Sequence, residues 1–178
     1  GLFTPEMLSS FAKTAPDPSF VIRPEKGAKM GDILAAINAL RVSPKADMRI
    51  EVDADLNIFV PKKMGPNAGP LKPNPLTLVV NVDERSNITL NGENEGSFPN
   101  TSKLEQHLKQ IFKAREENGV LRPGTNTIEM TVMVKLSKNM TFGDLTNLAR
   151  AVKSGGSDRI GLQVDESDIV MEVEMIRR

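Results

Sequence analysis

Two stretches of the chain match each other residue by residue: Phe20-Val21-Ile22-Arg23…Lys26…Met30-Gly31-Asp32-Ile33 and, 112 positions later, Val132-Met133-Val134-Lys135…Lys138…Phe142-Gly143-Asp144-Leu145. In both, an apolar run, a basic residue and a polar turn lead to a Gly-Asp pair that opens an amphipathic helix. Only Lys, Gly and Asp are identical, and the other positions exchange similar side chains, as shared packing requires and a shared catalytic group does not. The pattern predicts one strand-turn-helix unit used twice.

The composition is that of a globular protein, with 39% hydrophobic and 26% charged residues among 178. Its 23 basic and 23 acidic residues give no net charge, and no basic stripe is present, so nucleic acid is not an expected partner. The absence of Cys removes disulfides, thiol nucleophiles and Cys-ligated zinc. No run of about 18 apolar residues is present. Because the chain begins at Gly1 rather than Met, we expect a targeting or membrane segment upstream.

Residues 1–66 are predicted to form a strand-helix-hairpin unit. Its helix carries apolar residues on one face after Asp32. Its hairpin alternates apolar and polar residues from Met48 to Val52, turns at residues 53–55 and returns along Leu56–Val60. Residues 61–75 contain five prolines and two glycines. This segment is therefore predicted to be a linker and to separate a first domain, 1–66, from a second, 67–178.

After the linker, apolar patterns predict the order strand, strand, helix, strand, helix, strand, strand. The first strand is a near-continuous apolar run at residues 76–82, and Asn91-Gly92 is predicted to end the second. Asp144 is predicted to cap the second helix, as Asp32 caps its counterpart. The predicted fold class is α+β (mixed α/β): a mixed β-sheet with two helices on one face, preceded by a smaller, partly repeated strand-helix-strand unit.

Several structural motifs lie between Leu76 and Val164. They are Leu78-Val79-Val80-Asn81-Val82-Asp83, Ile88-Thr89-Leu90-Asn91-Gly92, the helix beginning near Leu104, Val132-Met133-Val134-Lys135, Thr141-Phe142-Gly143-Asp144 and Arg159-Ile160-Gly161-Leu162. Through them this half of the chain resembles the periplasmic domain of the ExbD/TolR family of biopolymer-transport and energy-transduction proteins.

The resemblance implies a non-catalytic periplasmic domain of an inner-membrane-anchored bacterial protein, in a system for transport or envelope maintenance coupled to the proton-motive force. It implies a homodimer, a multi-span inner-membrane partner, and a periplasmic energy-transducing protein or peptidoglycan as the bound target. The family's membrane helix, with its proton-coupled Asp, has no counterpart in residues 1–66, so ion coupling is not expected within this stretch. The alternative function is a cytoplasmic small-molecule-sensing α/β binding module, in which the duplicated unit forms a cleft.

Titratable residues form no recognisable catalytic pattern. His107, the single histidine, lies near Leu104 and Leu108 and apart from Glu105 on the helix surface, so it is predicted to be structural rather than a metal ligand. The carboxylate groups Asp53 with Asp55, and Asp165 with Glu166 and Asp168, are predicted to cap turns and to favour solubility. No catalytic, cofactor-binding or metal residue is predicted, no cofactor is expected, and the protein is not expected to be an enzyme.

The last predicted strand is the candidate partner or dimer edge. Its apolar residues are Ile169, Met171, Val173 and Met175. Edge strands offer unpaired N–H and C=O groups to another strand, so Val173→Pro is expected to weaken association.

Overall fold

The computed structural model describes residues 4–14, 16–42, 45–63, 75–165 and 168. Within them the chain forms four helices and eight strands. In chain order these are α1 (Pro5–Thr14), β1 (Ser19–Ile22), α2 (Met30–Leu40), β2 (Asp47–Asp53), β3 (Leu56–Val60), β4 (Leu78–Val82), β5 (Asn87–Leu90), β6 (Glu93–Ser97), α3 (Ser102–Glu117), β7 (Thr131–Leu136), α4 (Phe142–Ser154) and β8 (Arg159–Leu162). The predicted final strand, with Ile169, Met171, Val173 and Met175, lies outside the described residues.

The strands form one sheet in the order β1-β2-β3-β8-β7-β4-β5-β6. The pairs β1–β2, β3–β8, β7–β8 and β4–β7 are parallel, whereas the hairpins β2–β3, β4–β5 and β5–β6 are antiparallel. The predicted α+β class with a mixed sheet is confirmed. The two predicted domains, 1–66 and 67–178, both contribute strands to this sheet and meet where β3 pairs with β8. The boundary between two domains stays a prediction from the sequence.

The helices pack on one face of the sheet because alternate strand residues are apolar. In β4, Leu78, Val80 and Val82 are buried, whereas the intervening Val79 and Asn81 are half-buried. The buried strand residues form one continuous core with apolar residues from all four helices. Burial of this face is the main stabilising contribution to the fold.

The predicted repeat is confirmed in its elements and in its strand register. The helix of the first copy begins at Met30, and the helix of the second copy begins at Phe142. In the first copy Ser19 pairs with Asp47, and in the second Thr131 pairs with Arg159. Both partners are displaced by the same 112 positions, so the unit continues from its first strand through its helix into the next parallel strand.

The two copies meet at their helix starts. Four backbone hydrogen bonds join them, and each has a counterpart displaced by 112 residues: Met30 N to Met140 O (2.8 Å) with Phe142 N to Ala28 O (2.8 Å), and Gly31 N to Lys138 O (2.9 Å) with Gly143 N to Lys26 O (2.9 Å). A Cβ on Gly143 would lie 3.1 Å from Lys26 Cγ. A Cβ on Gly31 would lie 3.5 Å from Lys138, an ordinary contact, so the close approach of the other copy favours glycine at position 143 and not at position 31.

The helix caps differ from the prediction. Thr141 is the residue before α4, and its hydroxyl accepts a hydrogen bond from the Asp144 amide at 3.2 Å, while the Asp144 carboxylate accepts one from the Thr141 amide at 2.8 Å. Asp144 thus completes a capping box from the third helical position. Asp32 likewise lies inside the first turn of α2, where its negative charge interacts favourably with the helix dipole.

Gly161 lies on the other face of the sheet, where two long side chains cross β8. A Cβ at this position would lie 2.5 Å from Phe59 Cζ and 2.6 Å from Met133 Sδ. We expect Gly161→Ala to lower the free energy of unfolding by about 1–3 kcal/mol, because both neighbours must leave their positions. Urea denaturation followed by circular dichroism measures the loss.

Gly27→Ala is the matched control, because nothing lies within 4 Å of the Cβ that it introduces. Its effect on the free energy of unfolding should stay within about 0.5 kcal/mol. Equal losses from the two substitutions would show that crowding at Gly161 is not the cause.

Candidate functional site

β1 is an outer strand of the described sheet and pairs there with β2. The amide of Asp47 donates to the carbonyl of Pro18 at 2.9 Å. In a parallel pair, alternate residues turn their N–H and C=O groups to the same neighbour, so those of Ser19 and Val21 face away from β2. Another strand can pair with backbone groups in this orientation.

Two exposed apolar side chains lie on α1, the helix that precedes β1. Phe11 is 62% exposed and Met7 is 54% exposed. The Phe11 ring contacts the ring of Phe20 in β1 edge to face, with the centroids 6.1 Å apart. We call Met7, Phe11, Ser19 and Val21 together the α1–β1 surface. Exposed apolar groups beside the outer strand of the described sheet are typical of a protein-binding surface.

The opposite outer strand, β6, was missed in the sequence. Asn91-Gly92 was predicted to end β5, but Asn91 (φ 49) and Gly92 (φ 88) turn the chain so that Glu93 pairs with Leu90. Two consecutive positive φ angles are those of a two-residue hairpin turn, which Asn-Gly strongly favours. The dipeptide was the available indication of β6; the polar strand that follows has no apolar alternation.

β6 is poorly suited to strand addition. Its pairing with β5 is irregular between Ile88 and Thr89, and Gly96 has a φ of 105. The Lys103 ammonium donates to the carbonyl of Asn94. Irregular pairing and charge protect a sheet edge from other strands, so the two outer strands differ in what they can bind.

The β6 hairpin also gives His107 partners that the sequence did not predict. Its Nδ1 lies 2.6 Å from Oε1 of Glu95, whose side chain is only 2% exposed. Glu93, two residues earlier on β6, is exposed, and a carboxylate oxygen from each Glu and a ring nitrogen of His107 lie within 4.8 Å of one another. The prediction for His107 considered only its neighbours on α3, so it could not include the carboxylates that β6 places beside it.

The two carboxylate groupings have different roles. Asp53 accepts a hydrogen bond from the Asp55 amide at 3.0 Å, which lowers the pKa of Asp53, and turn capping is confirmed there. Asp168 accepts bonds from the amides of Val164 (2.6 Å) and Asp165 (2.8 Å). These two bonds confirm the predicted turn capping by Asp168, but its predicted contribution to solubility is wrong, because the residue is 1% exposed.

Asp168 forms a buried ion pair with Arg41, the residue after α2. Its Oδ1 lies 2.7 Å from Nη2 of Arg41, and Asp165 is 3.7 Å from Nη1 of the same guanidinium. Burial raises the pKa of Asp168, against the opposing effects of its hydrogen bonds and of Arg41. This cluster joins the end of the repeat's second copy to the helix of its first, a structural role.

A cavity of about 270 Å³ opens beside β2, β3 and β8. Its lining includes Phe20, Met48, Phe59, Met133, Arg159 and Asp168. Arg159 covers one wall, with its guanidinium carbon 4.1 Å from the centroid of the Phe59 ring. Small-molecule sites usually occupy about 300–1,000 Å³, so the cavity falls just below that range.

Comparison of the chain with protein-family models, with curated proteins and with solved structures finds no match. Among the described residues, no helix combines the length and the apolar character needed to cross a membrane. The resemblance to the ExbD/TolR family therefore rests on the motifs quoted above.

Proposed function

We propose that this chain is a non-catalytic binding module of an ExbD/TolR-like energy-transduction system and that it dimerises through the α1–β1 surface. The observation that carries the proposal is the combination of exposed Phe11 with the outward backbone groups of Ser19 and Val21. In such a system the module works in the periplasm, beside a multi-span inner-membrane partner and a periplasmic energy-transducing protein or peptidoglycan.

The position of the resembling motifs supports this function. They include β4 with β5, the start of α4, and β7 with β8. These strands form the part of the sheet farther from β1. Residues 4–60 extend that sheet with three more strands and place the exposed apolar surface at one end of the described sheet, as an addition to a module that works by binding.

A second copy of this chain fits the α1–β1 surface. Two β1 strands related by a two-fold axis pair antiparallel and extend both sheets, which also brings Met7 and Phe11 of each copy to the same interface. β1 has four residues, so the buried area falls at the low end for protein interfaces, and the dimer is expected to be weak.

A small-molecule-sensing module is the second candidate, favoured by the cavity beside Phe59 and Arg159. Its volume and the stacked Arg159 leave less space than most ligand sites have. Protein binding is therefore our conclusion.

We expect Val21→Pro to weaken dimerisation at least about tenfold. The substitution removes an outward N–H, and a two-fold dimer contains each lost hydrogen bond twice. Sedimentation velocity over a range of protein concentrations measures the dimerisation constant, and circular dichroism checks that the fold is retained.

Phe11→Ser should weaken the dimer in the same assay, whereas Leu121→Ser is the matched control. Leu121 is 43% exposed but lies outside the α1–β1 surface, so its replacement should leave association unchanged. A wild-type chain that stays monomeric at high concentration would rule out the proposed dimer.

A further inference from the structure

We propose that Glu93, Glu95 and His107 form a binding site for a divalent transition-metal ion such as Zn²⁺. The site joins β6 to α3, because both carboxylates come from the strand and the imidazole comes from the helix. β6 is at the opposite end of the described sheet from β1. The inference is therefore independent of the proposed dimer.

The state of Glu95 is the observation that points to a ligand. Its side chain is 2% exposed, and Oε2 is buried without a hydrogen-bond partner among the described residues. A buried carboxylate oxygen that lacks a hydrogen bond costs considerable free energy. A metal ion bound to this oxygen, or to both oxygens of the group, supplies the missing interaction.

The donor chemistry suits zinc and its neighbours in the first transition series. Imidazole nitrogen and carboxylate oxygen both bind Zn²⁺ at about 2.0–2.2 Å, and three protein ligands leave a fourth position for water. Ligand atoms on a tetrahedral ion lie about 3.4 Å apart at such bond lengths. The three groups, now within 4.8 Å of one another, reach that spacing by small side-chain rotations.

An ion that binds Oε1 of Glu95 and Nδ1 of His107 together takes the place of their hydrogen bond. These two atoms are 2.6 Å apart, closer than two ligands of one tetrahedral metal ion. His107 has a 33% exposed side chain and Glu93 is exposed. Both provide a path from solvent.

Lys103 is the competing cation. Its Nζ lies 4.0 Å from Oε2 of Glu95 and also donates to the carbonyl of Asn94. An ammonium group so close to the Glu95 carboxylate repels a metal ion bound there, and it partly balances the carboxylate charge when no ion is bound. Removal of Lys103 should therefore strengthen metal binding, a direction opposite to that expected for the ligands.

Isothermal titration of the whole chain with ZnCl₂ in a non-coordinating buffer tests the site. We expect one high-affinity ion per chain, and an affinity at least about tenfold weaker in Glu93→Gln, Glu95→Gln and His107→Gln. Glu93→Gln alters an exposed side chain, so this variant stays folded even where a change at buried Glu95 does not.

Two lysine variants on the same helix complete the test. Lys103→Met should raise the affinity for Zn²⁺ several-fold, whereas Lys109→Met, which changes an exposed side chain outside the cluster, should leave it unchanged. Cobalt titration adds a spectroscopic readout, because a tetrahedral site containing His107 gives an intense visible absorption that His107→Gln abolishes. No zinc binding by the wild-type chain, or binding that all three ligand variants retain, overturns the proposal.

Discussion

Arg41→Met is expected to lower the free energy of unfolding by about 3–5 kcal/mol, because it leaves a carboxylate buried without its cation. Arg41 is 2% exposed and Asp168 is 1% exposed, and their charged atoms are 2.7 Å apart. Met approximates the volume of the aliphatic stem, so most of the loss is electrostatic. Urea denaturation at pH 7 followed by circular dichroism gives the value.

The loss should become smaller in acid. Burial raises the pKa of Asp168 in the folded chain above its ordinary 3.8, the value that applies to the unfolded chain. At pH values between these two pKa values, the folded chain therefore binds more protons than the unfolded chain. The contribution of this group to stability therefore falls as the pH rises through that interval. Without Arg41 the folded pKa is higher still, and the deficit of the variant should grow between pH 4 and pH 7.

Two controls separate the charge effect from packing. Arg23 pairs with Glu51 at 2.9 Å on the surface, and Arg23→Met should cost much less than Arg41→Met because water screens exposed pairs. The double variant Arg41→Met with Asp168→Asn removes both charges, keeps an oxygen that can accept from the Val164 and Asp165 amides, and should recover most of the stability. A loss as large in the double variant would assign the effect to packing.

Ile33→Ala and Leu145→Ala are each expected to lower the free energy of unfolding by about 2–5 kcal/mol. They occupy equivalent positions in α2 and α4, at 5% and 0% exposure, and belong to one core. We therefore expect both substitutions to shift the same cooperative transition, although they lie in the two predicted domains. Denaturation followed by circular dichroism and by amide hydrogen exchange in each half measures this.

Val42→Ala is the comparison for these two variants, since Val42 is 39% exposed and its truncation should change stability little. Two separate transitions in the Ile33→Ala variant, with residues 75–165 still protected from exchange, would show that the halves fold independently.

The repeat was predictable because its information is local. An apolar run, a turn and a helix with apolar residues on one face specify each copy by periodicity, and the matching Gly31 and Gly143 mark the helix start that both share. What periodicity does not contain is the relation between the copies. Their exchange of hydrogen bonds joins residues about 110 positions apart.

The candidate sites were harder to predict for the same physical reason. The ion pair of Arg41 and Asp168 links residues 127 positions apart, and Asp168 has the local features of an ordinary turn residue. β6 lacks the apolar alternation by which strands are recognised, so Glu95 was not placed beside His107. The α1–β1 surface depends on which strand lies at the end of the sheet, and sequence patterns do not specify that order.

Site-specific cross-linking of β1 tests the proposed dimer interface most directly. The chain has no Cys, so Val21→Cys introduces a single reactive group on β1 and Asn94→Cys introduces one on β6. With a short bifunctional thiol reagent, the dimer proposed here gives covalent dimers of Val21→Cys at concentrations where Asn94→Cys remains monomeric. Equal yields from both variants, or none from Val21→Cys, would contradict binding through β1.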